Sequence, residues 1–273
     1  MSDVYEVYAL RYASYAGRQR RESLLRADPH LDGPMPIDFY IWVARNAART
    51  IVIDTGFSTA EGVRRGRTIT REPSACLALI GVDAAAIKDV IITHLHFDHA
   101  GTIGDFPNAK FHLQEAEMAY ATGRYMCHSQ CTHAYSPEIV CDMVRTVFQG
   151  RVAYHDGDAE IAPNISVHRV GGHTAGLQVV RIMTRRGWLV LASDASHFYE
   201  NMETANPFPI LHNMGDMYEG YRRLKELSGG LTMIIPGHDP RVMQRYPAYQ
   251  PGLEDIAVRL DADPLTTQEA ATC

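Results

Sequence analysis

The stretch Thr93-His94-Leu95-His96-Phe97-Asp98-His99-Ala100-Gly101 places three histidines and one aspartate within six positions. His94 and His96 flank a single residue, so at the extended end of a strand both imidazoles point to the same side. They can hold one ion through neutral ring nitrogens, and Asp98 and His99 on the following turn can reach a second ion beside it. Imidazole and carboxylate ligands favour zinc, with iron, manganese or cobalt as alternatives. The stretch therefore predicts a metal centre at the end of a strand.

Other apolar strands in the chain also lead into a polar residue. Asp54 follows Thr50–Ile53, Asp194 follows the strand at 187–193, and His238 follows Thr232–Ile235 in Pro236-Gly237-His238. His173 lies in the glycine-rich turn Gly171-Gly172-His173-Thr174-Ala175-Gly176. We expect these strand ends to converge at one edge of a layered β structure, where Asp194 could bridge two ions with its two oxygens.

The composition limits the class of protein. The 273 residues are 46% hydrophobic and 21% charged, which is typical of a soluble globular chain. A formal net charge of −6 argues against nucleic-acid binding, and the sequence contains no apolar run long enough to span a membrane. The first residues lack the pattern of a secretion signal, so we expect a cytoplasmic protein whose five cysteines are reduced.

The remaining patterns predict alternating strands and helices. We expect further strands at Val4–Tyr12, Ile37–Val43, Val90–Thr93, Ala109–Leu113, 151–155, 165–170 and 177–184, and helices at 73–82, 84–88, Glu115–Thr122, Glu138–Phe148 and Asp216–Leu227. The segments that are hardest to interpret, Arg18–Pro36, 120–150 and 197–215, are expected to form the walls of the pocket above the metals.

Together these motifs resemble those of the metallo-β-lactamase-fold hydrolases. The similarity runs through Asp54, HLHFDH, GGHTAG, the strand-end Asp194 and PGHD, and it covers residues 4–240. Within that superfamily the chain looks most like the N-acyl-homoserine lactonase group, because of HLHFDHAG, GHTAG, SDAS and the final GHD. The resemblance implies an α/β fold, the αββα four-layer sandwich, with residues 1–273 as a single metallo-β-lactamase-like domain and the metals at one edge.

The resemblance also implies roles for individual residues. His94, His96 and His173 would hold the first of two zinc ions; Asp98, His99 and His238 would hold the second, with Asp194 bridging them. Asp54 would accept a ring N–H and orient a ligand imidazole. Asp98 would carry a proton to the leaving group. Related lactonases are often dimers, so the resemblance implies a homodimer.

One position departs from the lactonase pattern. In that group a tyrosine stands three residues after the bridging aspartate and assists at the substrate carbonyl. Here that position is His197, and Tyr199 lies two residues further on. We expect either His197 or Tyr199 to donate a hydrogen bond to the carbonyl oxygen, and His197 could instead be a surface or supporting histidine.

The sequence therefore predicts a zinc-dependent hydrolase that opens a lactone in a small molecule by attack of a metal-bridging hydroxide. Another ester, an amide or a thioester remains an alternative substrate. From a different class, a persulfide-dioxygenase-like oxidoreductase with one iron also remains open. A ribonuclease-Z-like nuclease is disfavoured by the negative charge. The segment Cys127–His133 matches no familiar zinc-finger spacing, so we interpret it as pocket wall.

Overall fold

Two β-sheets form the centre of the molecule. The computed structural model describes residues 4–26, 29–30 and 32–265, so Cys273 lies outside the described residues. The strands are β1 Glu6–Tyr15, β2 Ile37–Arg45, β3 Thr50–Ile53, β4 Thr68–Ile69, β5 Asp89–Ile91, β6 Lys110–Gln114, β7 Val152–His155, β8 Ala159–Ala162, β9 Ile165–Arg169, β10 Gln178–Thr184, β11 Gly187–Ser193, β12 Ile234–Pro236 and β13 Ala257–Arg259.

The two sheets differ in how their strands run. The first has the order β13-β1-β2-β3-β5-β6-β7, with β4 paired to β1. Its β1, β2 and β3 are antiparallel, whereas β3, β5, β6 and β7 are mutually parallel. The second has the order β12-β11-β10-β9-β8 and is antiparallel except for the parallel pair β11 and β12. Each sheet therefore contains parallel neighbours whose carboxyl ends lie at the same edge.

The first sheet is buried on both faces. Along β2, Tyr40 and Trp42 belong to one core cluster and Ile41 and Val43 to another, as the alternation of side chains in a strand requires. The cluster that contains Trp42 also contains the inward residues of the second sheet, so it fills the space between the sheets. The apolar character of successive residues in β2 follows from this double burial.

Helices cover the outer face of each sheet. Residues of α2, α4 and α6 belong to the core cluster on the outer face of the first sheet, and α8 packs on β11 of the second. This arrangement confirms the αββα sandwich. The helices are α1 Thr59–Arg64, α2 Pro73–Leu79, α3 Phe97–Ala100, α4 Glu115–Ala121, α5 Ser129–Thr132, α6 Pro137–Phe148, α7 Tyr199–Glu203, α8 Met214–Leu227 and α9 Arg241–Arg245.

Two buried glutamines connect the sheets. Gln178, at the start of β10, donates through Nε2 to the carbonyl oxygens of Ile92 at 2.8 Å and His112 at 3.1 Å. Gln114, at the end of β6, donates through its own Nε2 to Gln178 Oε1 at 2.8 Å. Both side chains are fully buried, so these bonds are made without competition from water.

The predicted elements are found with small shifts in their ends. The helix expected at 84–88 is instead a 3-10 turn at Ala84–Ala86, because the backbone of Ile87 is already extended and leads into β5. The strands β4, β8 and β13 and the helices α1, α3, α5, α7 and α9 were not predicted. No helix of the described ranges is long and apolar enough to cross a membrane.

Candidate metal centre

The predicted ligands meet where strands of both sheets end. Asp54 follows β3, and His94 lies three residues beyond β5, its parallel neighbour. Asp194 follows β11, and His238 lies two residues beyond β12, again its parallel neighbour. All four side chains are buried. The expected convergence of strand ends is confirmed.

One group of ligand atoms consists of His94, His96, His173 and Asp194, all within 4.8 Å of one another. His96 Nδ1 lies 3.0 Å from His94 Nε2 and 3.0 Å from His173 Nε2. Asp194 Oδ2 lies 3.1 Å from His173 Nε2. Three ring nitrogens and a carboxylate oxygen around one point match the donor set of a tetrahedral zinc site.

A second group shares the same aspartate. Asp98, His99 and His238 offer ligand atoms within 4.8 Å of one another. Asp194 Oδ1 lies 2.9 Å from His238 Nε2 and 3.2 Å from His99 Nε2. The two oxygens of Asp194 thus face different groups of imidazoles, which is the geometry that a bridging carboxylate needs.

The protonation of the histidines and the charges of the nearby carboxylates favour a bound cation in this cluster. Burial holds the pKa values of His94 and His96 well below the usual range, so both rings are neutral at pH 7 and keep a lone pair for a metal. Burial alone would also lower the pKa of His99, but the carboxylates of Asp194, Asp98 and Asp54 raise it well above the usual range. His99 Nε2 is buried and has no hydrogen-bond partner among the described residues. These residues fit a metal centre.

The second ring nitrogen of several ligands is held by a hydrogen-bond acceptor. His99 Nδ1 donates to Asp54 Oδ2 at 2.7 Å, His173 Nδ1 to the carbonyl oxygen of Ile210 at 2.8 Å, and His238 Nδ1 to that of Asp38 at 2.8 Å. Each bond leaves Nε2 free to face the centre of the cluster. The contact of Asp54 with His99 is the geometry that the predicted orienting role of Asp54 requires.

Glu117 is a buried carboxylate that our sequence analysis missed. It lies on α4 and is fully buried. Oε1 accepts from Leu95 N at 3.0 Å and from the Tyr135 hydroxyl at 2.8 Å, while Oε2 accepts from Thr174 Oγ1 at 2.6 Å and Gly176 N at 3.1 Å. Leu95 stands between two candidate ligands, and Thr174 follows a third. Glu117 therefore fixes both ligand loops to one helix.

His197 reaches the cluster. Its Nε2 lies 3.0 Å from Asp194 Oδ2, and its ring stacks on Phe208 with a centroid separation of 3.6 Å and an interplanar angle of 3°. Burial lowers the pKa of His197 to about 3, so the ring is neutral and carries one N–H. His197 lines the same pocket as His96, Asp98 and Asp194.

The structure does not bring Tyr199, the alternative donor, to this pocket. Tyr199 is the first residue of α7, and its ring belongs to the core cluster that contains Trp42. The Arg245 guanidinium lies 4.3 Å from the ring centre. Tyr199 is buried and is not among the residues that line the pocket. Its hydroxyl is therefore not placed to donate to a substrate at the cluster.

All three predicted wall segments contribute to the pocket. Arg18 comes from the first segment, His133 and Ala134 from the second, and Phe208 and Ile210 from the third. In the described chain, the cysteines at positions 76, 127, 131 and 141 are free, and no possible metal-binding group includes a cysteine. The interpretation of the 127–133 segment as wall is supported by His133.

Comparisons with known proteins agree with this geometry. A family model described as the Metallo-beta-lactamase superfamily matches residues 39–238. An N-acyl homoserine lactonase of Bacillus cereus is 32% identical over 165 residues, which are 60% of this chain and 60% of that protein. The lactonase AttM of Azorhizobium caulinodans is 28% identical over 184 residues, 63% of this chain and 66% of that protein. The chain thus spans about 60% of the length of the first curated relatives that it matches.

Solved structures show the same fold. A quorum-quenching N-acyl homoserine lactone lactonase superposes with a TM-score of 0.72 at 23% identity, covering 87% of this chain and 93% of that one. A dizinc quorum-quenching lactonase in complex with a product gives a TM-score of 0.68 at 16% identity, covering 88% of this chain and 92% of that one. At these identities the comparison with structures concerns the fold alone.

Proposed function

Because the chain belongs to the metallo-beta-lactamase superfamily, we propose that it is a zinc-dependent hydrolase that opens a lactone ring in a small molecule. The observation that carries the proposal is Asp194, whose two oxygens face two groups of imidazoles. A single buried carboxylate in that position suits two adjacent ions. The names of the curated relatives supply the lactone as the substrate class to test first.

Each group of ligands would hold one ion. In this proposal His94, His96 and His173 bind the first zinc, and Asp98, His99 and His238 bind the second, with Asp194 shared. When bound, a zinc pair supplies hydroxide at neutral pH and polarises the substrate carbonyl. The chain itself then has to orient the lactone, hold a donor at the carbonyl oxygen and deliver a proton to the ring oxygen as the C–O bond breaks.

Asp98 is the residue that we assign to the proton. It lines the pocket and is 8% exposed, so its carboxylate is accessible to a bound substrate. Its Oδ2 lies 3.8 Å from both His99 Nε2 and His238 Nε2. A carboxylate at that place can hold the proton released by the attacking water and pass it to the alkoxide that leaves.

His197 is the residue that we assign to the carbonyl oxygen. A neutral imidazole carries one N–H, and the Nε2 of this ring faces the cluster. Loss of one such donor costs about 100- to 1000-fold in turnover in a protease that has no metal at the carbonyl. A smaller loss is expected here, since a zinc ion would polarise the same oxygen. His197→Phe, which can keep the stacking on Phe208, should retain both metals and lower turnover. Turnover equal to that of the unchanged protein would contradict the role.

Metal content and a substrate panel test the proposal as a whole. Protein purified without chelator should contain two zinc ions per chain and open lactones faster than linear esters, anilides or thioesters. His173→Ala should lose metal and activity together, whereas His128→Ala, an exposed histidine outside the cluster, should change neither. One iron per chain would favour the persulfide-dioxygenase-like alternative. A preference for linear esters, amides or thioesters would favour another hydrolase.

Three further statements stay predictions. Residues 1–273 are expected to form a single domain, the chain is expected to form a homodimer, and the protein is expected to be cytoplasmic. Limited proteolysis, sedimentation and cell fractionation test them in turn.

A further inference from the structure

Two arginines line the pocket that contains the candidate metal ligands. Arg18 precedes β2, and Arg67 lies between α1 and β4, so they come from separate parts of the chain. Both border the pocket that also contains Asp98, Asp194 and His197. The other lining residues are histidines, aspartates and apolar side chains, so these two guanidinium groups are the permanent positive charges of the described lining.

Arg18 is held in place by neutral groups. Its Nε donates to Ser23 Oγ at 2.9 Å and its Nη2 to the carbonyl oxygen of Glu22, while the guanidinium lies 4.4 Å from the ring centre of Phe208. Within the described residues no carboxylate lies at ion-pair distance from Arg18, and its Nη1 makes no hydrogen bond. The group is therefore oriented but not neutralised.

Arg67 has even fewer partners. Its Nη1 donates to the carbonyl oxygen of Arg65 at 3.1 Å, and its guanidinium lies 4.3 Å from the ring centre of Tyr15. Its Nε is buried and has no hydrogen-bond partner in the part of the chain that the structure describes. Asp98 attracts Arg67 electrostatically, but from beyond ion-pair distance. One buried donor of Arg67 therefore remains unused.

Three other arginines close to these in the sequence are paired with carboxylates. Arg64 and Arg65 both pair with Glu61, and Arg20 pairs with Glu200. Those guanidinium groups are neutralised by a carboxylate of the chain itself. Among the described residues, no carboxylate pairs with Arg18 or Arg67, the two arginines that line the pocket.

Burial raises the free energy of the charged guanidinium groups of Arg18 and Arg67, because it removes them from water. Burial lowers the pKa of Arg18 to about 10, and the positive charge of Arg67 lowers it further while Glu22 opposes the shift. Burial also lowers the pKa of Arg67. Both groups remain protonated at neutral pH, so each stays charged, poorly hydrated and repelled by the other. An anion between them would relieve both costs.

We propose that Arg18 and Arg67 form an anion subsite, and that the substrate carries a carboxylate in addition to the carbonyl group that is attacked. The inference rests on the proposed function for the identity of the reacting group. Guanidinium groups match the planar shape of a carboxylate and bind it through charge-assisted hydrogen bonds. A neutral lactone would leave both arginines without an anionic partner.

A pair of lactones that differ only in charge tests the subsite. The probes are 5-oxotetrahydrofuran-2-carboxylate and the corresponding 2-carboxamide, whose ring opening releases a proton that an indicator dye detects. With the zinc-loaded protein, kcat/KM should be higher for the carboxylate. Arg67→Gln and Arg18→Gln should each reduce that preference by about tenfold, the value expected for the loss of one charge-assisted hydrogen bond.

The matched control is Arg64→Gln, because Arg64 is an exposed arginine that pairs with Glu61 outside the pocket. This variant should leave the preference unchanged. The inference is overturned if the unchanged protein shows no preference for the carboxylate, or if neither pocket variant alters the preference.

A binding measurement separates this inference from the proposed function. If the zinc-loaded protein opens neither probe nor any other lactone, the proposed function fails. The subsite is then judged by calorimetric Kd values for the two probes. Tighter binding of the carboxylate that depends on Arg67 would support the subsite. Equal carboxylate binding by Arg67→Gln and the unchanged protein would overturn it, because the metals alone would then hold the anion.

Discussion

Replacing Glu117 by glutamine tests whether the carboxylate that joins the two ligand loops stabilises the metal site. Each oxygen accepts one backbone N–H and one hydroxyl, so the NH2 of Glu117→Gln would face two donors at either position. A hydroxyl can turn and accept, but a backbone N–H cannot. One buried N–H therefore loses its partner, at about 1.5–3 kcal/mol, and the bonds that remain become neutral and weaker. The total loss is expected to be about 3 kcal/mol.

Urea unfolding of the metal-free protein measures this loss directly. The matched control is Glu115→Gln on the same helix, because Glu115 is exposed and should change the free energy of unfolding by less than about 0.5 kcal/mol. Zinc titration should show a second effect, weaker binding in Glu117→Gln, because Leu95 and Thr174 adjoin candidate ligands. If the two variants unfold at the same urea concentration and bind zinc equally well, Glu117 does not hold the loops as inferred.

Three further predictions concern the same region. In Asp54→Asn the side-chain amide would donate to His99 Nδ1, which leaves the ring proton on Nε2, the nitrogen that faces the cluster. Zinc affinity should therefore fall by about 10- to 100-fold. An unchanged affinity would show that Asp54 does not orient this ring. Burial alone would lower the pKa values of His99 and His238, but nearby carboxylates raise both, so each must release a proton to bind metal. Zinc binding should therefore weaken as the pH falls from about 8 to 6, and a calorimetric titration that detects no proton release would contradict this. Gly176→Ala would place a Cβ 2.1 Å from Glu117 N. Urea unfolding should show a free energy of unfolding that is lower by about 3 kcal/mol. The control Gly104→Ala, with no atom within 4 Å of the added Cβ, should leave this free energy nearly unchanged.

The candidate ligands could be predicted because their spacing and their position in the chain fix their geometry. His94 and His96 share one side of an extended segment, and a polar residue after a buried strand must appear at the edge where that strand ends. Parallel pairing of β3 with β5 and of β11 with β12 then brings such edges together. Both rules depend only on residues that are close together in the sequence, so they can be applied to a single sequence.

The supporting residues depend on contacts that no local rule contains. Glu117 binds residues 18 to 59 positions away, and the helix sequence alone does not tell which of its two glutamates is buried. A partial signal exists, since Glu117 shares the spacing of the buried Tyr120 and Ala121 on α4. Arg67 lies in a polar segment without periodicity. Tyr199 is the first residue of α7 and does not line the pocket. Its position depends on where a short element starts, and element ends are the part of a fold that sequence patterns define least well.

The glutamine contacts between the sheets have a consequence for how the two halves can move. An interface of apolar side chains alone resists separation but has no directional preference, so it could permit one sheet to slide along the other. Gln178 binds two carbonyl oxygens of the opposite sheet, and a slip by one residue, about 3.3 Å, would break both bonds in a dry interior. His94 is carried by one sheet and Asp194 by the other, so such a slip would also pull the Asp194 carboxylate away from the His94 imidazole. The side-chain amides of Gln114 and Gln178 thus oppose sliding of one sheet along the other. Larger conformational fluctuations should therefore be confined to the loops around the opening of the pocket.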